Sequence, residues 1–132
     1  MKYLETKIRV RYGETDQMGI VYHGNYAQYL EIGRIEWLRS LGVSYKKMEE
    51  DGLMLPVISL SINYKKSAGY DDLIYVKTQL LKMPTATIEF DFEILNESRE
   101  IITTANVVLA FINMKTNKPT RCPKYILDKL KD

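Results

Sequence analysis

Apolar and polar residues alternate along residues 5–12, "ETKIRVRY", with Ile8, Val10 and Tyr12 on one side and Lys7, Arg9 and Arg11 on the other. That period of two predicts a half-buried strand. Residues 13–25 lose the period and read as a loop. From Tyr26 it lengthens: Tyr26, Tyr29, Leu30, Gly33, Trp37, Leu38 and Leu41 recur at steps of three and four, one apolar stripe of a helix over 26–41. Asn25 is the expected N-cap and Gly42 the residue that stops the helix. Gly33 inside it costs about 1 kcal/mol relative to alanine, which close approach of the helix backbone to a sheet would explain. A second short helix, "SYKKMEED", follows with Ser44 as its cap.

Downstream the period returns to two. "LPVISLSINYKKSA" sets Ile58, Leu60, Ile62 and Tyr64 against Ser59, Ser61 and Asn63, and "DLIYVKTQLLKM" follows the turn "GYDD". In "TATIEFDFEIL" the residues Ile88, Phe90, Phe92 and Ile94 oppose Glu89, Asp91 and Glu93; then "NESRE" turns into "IITTANVVLAFINM". "KYILDKLKD" is a short amphipathic helix at the end. Short turns demand antiparallel neighbours, so the class is α+β, one helix on one antiparallel sheet of five strands. Strands of ten or more residues reach over roughly 30 Å and must twist, so the sheet curls around the long central helix.

Composition changes little. The 132 residues fit a single domain spanning 1–132, and a net charge of +2 with interleaved acids and bases gives no case for nucleic acid. Cys122 is the only cysteine, which excludes an intrachain disulfide and points to a reducing cytoplasm. The opening residues contain no apolar run of signal-peptide or membrane-span length.

The loop holds the candidate chemistry. Within "YGETDQMGIVYHGNY" stand Asp16 and the chain's only histidine, His23, with Gly19 and Gly24 allowing a tight path to the helix mouth. Taken alone, Asp16 is equally a turn residue capping its own backbone, His23 a packed ring, and Glu14 a solvated loop acid.

The longer stretch "RVRYGETDQMGIVYHGNYAQYLEIGRIEWLR" closely resembles the signature of the 4-hydroxybenzoyl-CoA thioesterase family, in its acyl-CoA thioesterase branch. Tyr12, Asp16, Gly19, Val21, Tyr22, His23, Asn25 and Tyr26 occupy the signature's places, and "NYKKSAGYDDLIYV" resembles its second-to-third strand hairpin, with Tyr64 and Asp72 in position. The resemblance implies a hotdog fold and hydrolysis of acyl-CoA thioesters with neither metal nor organic cofactor. It makes Asp16 the nucleophile or general base and the His23 backbone amide the group that polarises the carbonyl. It also implies a homo-oligomer, a dimer or a homotetramer of two dimers, with sites at the dimer interface. Tyr12, Gly19, Val21, Tyr22, Asn25 and Tyr26 then shape the substrate site, and Lys65 is a candidate for CoA phosphates beside Lys66, Arg121 and Lys124.

That chemistry is self-consistent. A thiolate leaves readily, because its parent thiol has a pKa near the free-cysteine value of about 8.5, so no strong general acid is required. A carboxylate can attack directly or deprotonate water. The amides at a helix N-terminus suit the developing oxyanion. Whether the His23 ring takes part or only its amide stays open, as does the helix acid Glu31, read as solvated or structural. Three rivals stand beside the thioesterase: a hotdog enoyl-thioester hydratase, a non-catalytic module binding acyl-CoA or acyl carrier protein, and a structural protein assembling edge to edge.

Overall fold

Five strands, β1 (Tyr3–Arg9), β3 (Val57–Tyr64), β4 (Leu73–Leu80), β5 (Thr87–Leu95) and β6 (Ile101–Ala110), form one antiparallel sheet in the order β1-β4-β5-β6-β3. A computed structural model describes residues 3–131. The long helix α1 (Tyr26–Ser40) lies against the sheet, followed by α2 (Tyr45–Glu50). A small second sheet joins β2 (Leu53–Met54), β7 (Ile112–Asn113) and β8 (Lys118–Pro119), and α3 (Lys124–Leu130) closes the chain.

The period-two faces pack as the alternation requires. Ile74, Val76 and Leu80 of β4, Ile88, Phe90, Phe92 and Ile94 of β5, and Val107 and Leu109 of β6 are buried together. They meet Tyr26, Tyr29, Leu30, Trp37 and Leu38 of α1, and the Trp37 and Phe90 rings pack edge to face with centroids 4.9 Å apart. Gly33 is where helix and sheet come closest: a Cβ there would lie 2.6 Å from Thr78 Oγ1 and 2.8 Å from Val76 Cγ1. The helix ends as expected at Gly42, whose φ of +82° is the left-handed conformation glycine adopts without strain.

Two strands depart from the sequence pattern. β1 stops at Arg9, because Val10 and Asp72 leave the ladder through a closing bond (Val10 N to Asp72 O, 2.9 Å) and residues 12–14 coil into a 3₁₀ turn. Tyr12 therefore lies 77% exposed, outside the strand it was expected to end. In β3 a bulge between Val57 and Ser59 takes Ile58 out of register, so of the expected face Leu60, Ile62 and Tyr64 stand opposite Val107, Ala105 and Thr103, while Val57 stands opposite Leu109.

The expected β3–β4 hairpin is absent: β3 pairs with β6 and β4 with β1, so residues 65–72 form a crossover. In that order β3 and β4 sit three strand spacings apart, about 14 Å, and eight extended residues span up to about 26 Å. The alternation of directions brings the ends of β1 and β3 and the start of β4 to one end of the sheet. Loop 10–25 and the crossover must therefore meet there. No described helix is long and apolar enough to cross a membrane.

Candidate active site

Loop 10–25 doubles back on itself in a miniature hairpin. Thr15 bridges Val21, Asp16 N donates to Ile20 O (2.8 Å), and Gly19 N donates to Asp16 O (3.0 Å). Gly19 sits at φ +80°, which a side chain would strain. The crossover supports this hairpin from below: Val21 N donates to Ala68 O (2.8 Å), and Ile20 bridges Gly69. At its tip the Asp16 carboxylate accepts the Met18 amide through Oδ1 at 2.8 Å. The local turn bond expected of a loop aspartate is thus made, and Oδ2 has no partner among the described residues.

The helix mouth differs from the sequence expectation. Asn25 is not a side-chain cap; it has helical dihedrals (φ −76°, ψ −16°) inside a 3₁₀ turn, His23–Asn25, that runs into α1. The first turn bonds are Asn25 N to Tyr22 O (2.9 Å) and Tyr26 N to His23 O. The amides of His23 and Gly24 come before them and have no acceptor within the helix, as first-turn amides do. The freed Asn25 side chain donates instead to Glu14 O at 2.8 Å. The His23 ring rests on Tyr22 (centroids 4.4 Å apart). Tyr64, from the end of β3, donates its hydroxyl to His23 O at 3.0 Å and packs edge to face on Tyr26. That bond fixes the plane of the His23–Gly24 peptide.

Glu14 is no solvated acid. It is only 8% exposed, and its carboxylate accepts four hydrogen bonds: from Arg11 N (2.8 Å), Arg11 Nε (3.0 Å), Arg11 Nη2 (2.8 Å) and Tyr29 Oη (2.9 Å). Burial alone would raise its pKa, but the bonds from Arg11 and Tyr29 outweigh it and hold the carboxyl below its ordinary value. Tyr29 responds in the opposite direction, its phenol pushed up by burial and by the Glu14 carboxylate. Two clues to this cluster lay in the sequence: Arg11 three residues before Glu14, and a tyrosine hydroxyl on the buried stripe of α1 that needs a partner.

Between hairpin, helix mouth and crossover lies a cleft of about 240 Å³ lined by Asp16, Val21, His23, Tyr26 and Lys65, joined by Met18, Ile20, Tyr64, Lys66 and Ser67. Tyr12, Gly19, Tyr22 and Asn25 are outside its lining: Tyr12 packs on Tyr70, Tyr22 backs the His23 ring, and Gly19 and Asn25 shape the chain path. Lys66 is paired with Glu100, while Lys65 makes no ion pair among the described residues. Arg121 lies in a separate cleft with Asp51, Asn113 and Tyr125. Glu31 is exposed on α1, in a groove with Arg34, Val57 and Leu60. A wider hollow of about 380 Å³ on the outer sheet face, around Lys77, Asp91 and Asn106, has no residue of a helix terminus in its lining. Among the described residues no group of three or more His, Cys, Asp or Glu is placed to hold a metal ion.

A curved antiparallel sheet around a central helix, with an acid-bearing hairpin against the helix mouth, is the hotdog architecture of thioester enzymes. Residues 10–130 match the thioesterase-like superfamily, and the chain belongs to it. It is 34% identical over 128 residues to the putative acyl-CoA thioesterase YneP of Bacillus subtilis, covering 97% of this chain and 93% of that protein. To the acyl-CoA thioesterase YbgC of Haemophilus influenzae it is 33% identical over 120 residues, covering 90% and 88%. The crystal structure of a DHNA-CoA thioesterase from Staphylococcus aureus superposes with a TM-score of 0.90 at 42% identity, covering 97% of this chain and 86% of that one.

Proposed function

We propose that this protein hydrolyses acyl-CoA thioesters to the free acid and CoA, with Asp16 as nucleophile or general base. The observation that carries the reading is that the Asp16 carboxylate and the residue bearing the first helix-mouth amide, His23, line one cleft. The acyl carbonyl sits at that mouth, where the amides of His23 and Gly24 stabilise the oxyanion formed on attack. In one route the Asp16 carboxylate adds to the carbonyl, CoA thiolate leaves, and water hydrolyses the mixed anhydride. In the other Asp16 takes a proton from water, the hydroxide adds, and collapse expels the thiolate. Both end in acid and CoA and use the same carboxylate.

Val21 and Tyr26 form the wall for the acyl group, and Tyr22 holds the His23 ring. Lys65, exposed in the cleft's lining and without an ion pair among the described residues, meets the anionic carrier, either CoA or the phosphopantetheine of acyl carrier protein. Gly19 and Asn25 serve by shaping the loop. The free Cys122, buried with its thiol pushed up to about 11, suits a reducing cytoplasm. A homo-oligomer fits β3, whose outer edge pairs with no strand among the described residues.

The test is free-thiol release from short, long and aromatic acyl-CoAs and from acyl carrier protein, wild type beside Asp16→Asn. The variant is expected to lose at least about a hundredfold in kcat, within the range for a positioned acid–base group. Equal rates would remove Asp16 from the mechanism. No release on any substrate, with acyl-CoA still raising the melting temperature, would favour a binding module.

A further inference from the structure

The two reacting parts of the cleft come from separate segments, and one residue joins them. Glu14 stands two residues before Asp16. Its backbone oxygen accepts Tyr22 N (2.9 Å), immediately before His23, and Asn25 Nδ2 (2.8 Å), in the 3₁₀ turn. Its carboxylate reaches further into the same frame, to Arg11 at the foot of the hairpin and to Tyr29 on α1. The polar groups that Glu14 engages among the described residues thus lie on the segment leading to Asp16 (Arg11), on the returning arm of the hairpin (Tyr22), or on the 3₁₀ turn and helix beyond it (Asn25 and Tyr29).

We propose that Glu14 is a positioning residue of the thioester site, holding the Asp16 turn and the His23–Gly24 amides in a fixed mutual geometry. The proposal rests on the thioesterase reading and adds a residue that touches no substrate. A buried carboxylate is costly to hold unless fully bonded. Glutamine cannot take its place, because in either orientation its NH₂ faces an obligate donor, the Arg11 guanidinium or the Arg11 backbone N–H. Losing the bonds on that side lets hairpin and helix mouth drift apart. A displacement near 1 Å in a reacting geometry can cost about a hundredfold in rate while substrate still binds.

The experiment compares wild type, Glu14→Gln and Arg11→Gln in steady-state thiol release, with circular dichroism for folding and backbone amide spectra of Asp16, His23 and Gly24. Glu14→Gln is expected to lower kcat at least about tenfold with KM within about threefold, the signature of lost transition-state alignment. The three amide signals should move. A folded Glu14→Gln with unchanged kcat, or with only KM raised, overturns the proposal. If Glu14→Gln does not fold, Arg11→Gln decides in the same terms. Its side chain is largely exposed, and it removes only the Nε and Nη2 bonds. If wild type releases no thiol from any substrate, the thioesterase reading fails and the amide spectra decide. Shifted signals support the positioning role, and unmoved ones overturn it.

Discussion

Burial pushes a carboxylate toward its neutral form, and at Glu14 that push is the largest single influence. It is opposed by the Arg11 amide, the Arg11 guanidinium and the Tyr29 hydroxyl, and together these win: the folded-state pKa lies below the ordinary value. The consequence for stability has a definite sign. A group whose pKa is depressed on folding adds stability above its unfolded value, about 4.3 for glutamate, and loses it as pH falls through the folded value. Wild type should therefore lose more melting temperature than Glu14→Gln between pH 7 and about pH 3, followed by thermal unfolding across that range. Glu5 and Glu100, also held low by Arg99 and by Lys66 and Asn96, are common to both proteins and cancel in the difference. Parallel curves would mean that the Arg11–Glu14 cluster contributes nothing on acidification.

At the scale of elements, α1 and β4 meet through a glycine. Alanine at position 33 would gain about 1 kcal/mol of helix propensity, but its Cβ would overlap Thr78 Oγ1 and Val76 Cγ1, both deep in the core. Val76 is β-branched and stiff at χ1, so it cannot swing aside. Overpacking costs typically about 1–3 kcal/mol, so the clash outweighs propensity. Gly33→Ala is expected to lower the melting temperature by roughly 3–8 °C; a rise would mean that the helix can lift off the sheet at little cost. This contact was legible in the sequence, because a glycine on the apolar stripe of a long helix sacrifices propensity and packing area unless a neighbouring backbone or side chain needs the space. The strands were legible from their period: Ile88, Phe90, Phe92 and Ile94 are buried as it demands. Local periodicity carries no information about partners, however. The short turn "GYDD" and the family resemblance gave β3 and β4 as a hairpin, whereas pairing at a distance made residues 65–72 a crossover beneath the site. Residue type and loop position gave Asn25 as a cap and Glu14 as a solvated acid, since the bond between them spans 11 residues and appears only once the loop is closed.

For the molecule as a whole, the outer edge of β3 matters most. Its neighbour on one side is β6, and on the other its backbone groups pair with no strand among the described residues. An edge of this length usually carries charge or proline to prevent pairing. β3 instead exposes Val57, Ile58 (58%), Leu60 (47%) and Tyr64. Such an edge fits a second copy, antiparallel across a two-fold axis, which would extend the sheet and cover those side chains. Wild type should then run in light scattering at twice or four times the chain mass. Leu60→Lys, placing a charge on the edge, should shift it to the single-chain mass while circular dichroism stays unchanged. The last residue of β3 is Tyr64, whose hydroxyl holds His23 O. Fraying of this edge strand would release that peptide plane, so thiol release should fall together with mass. A monomeric wild type would remove the second copy, and a monomeric variant with full activity would separate edge pairing from catalysis.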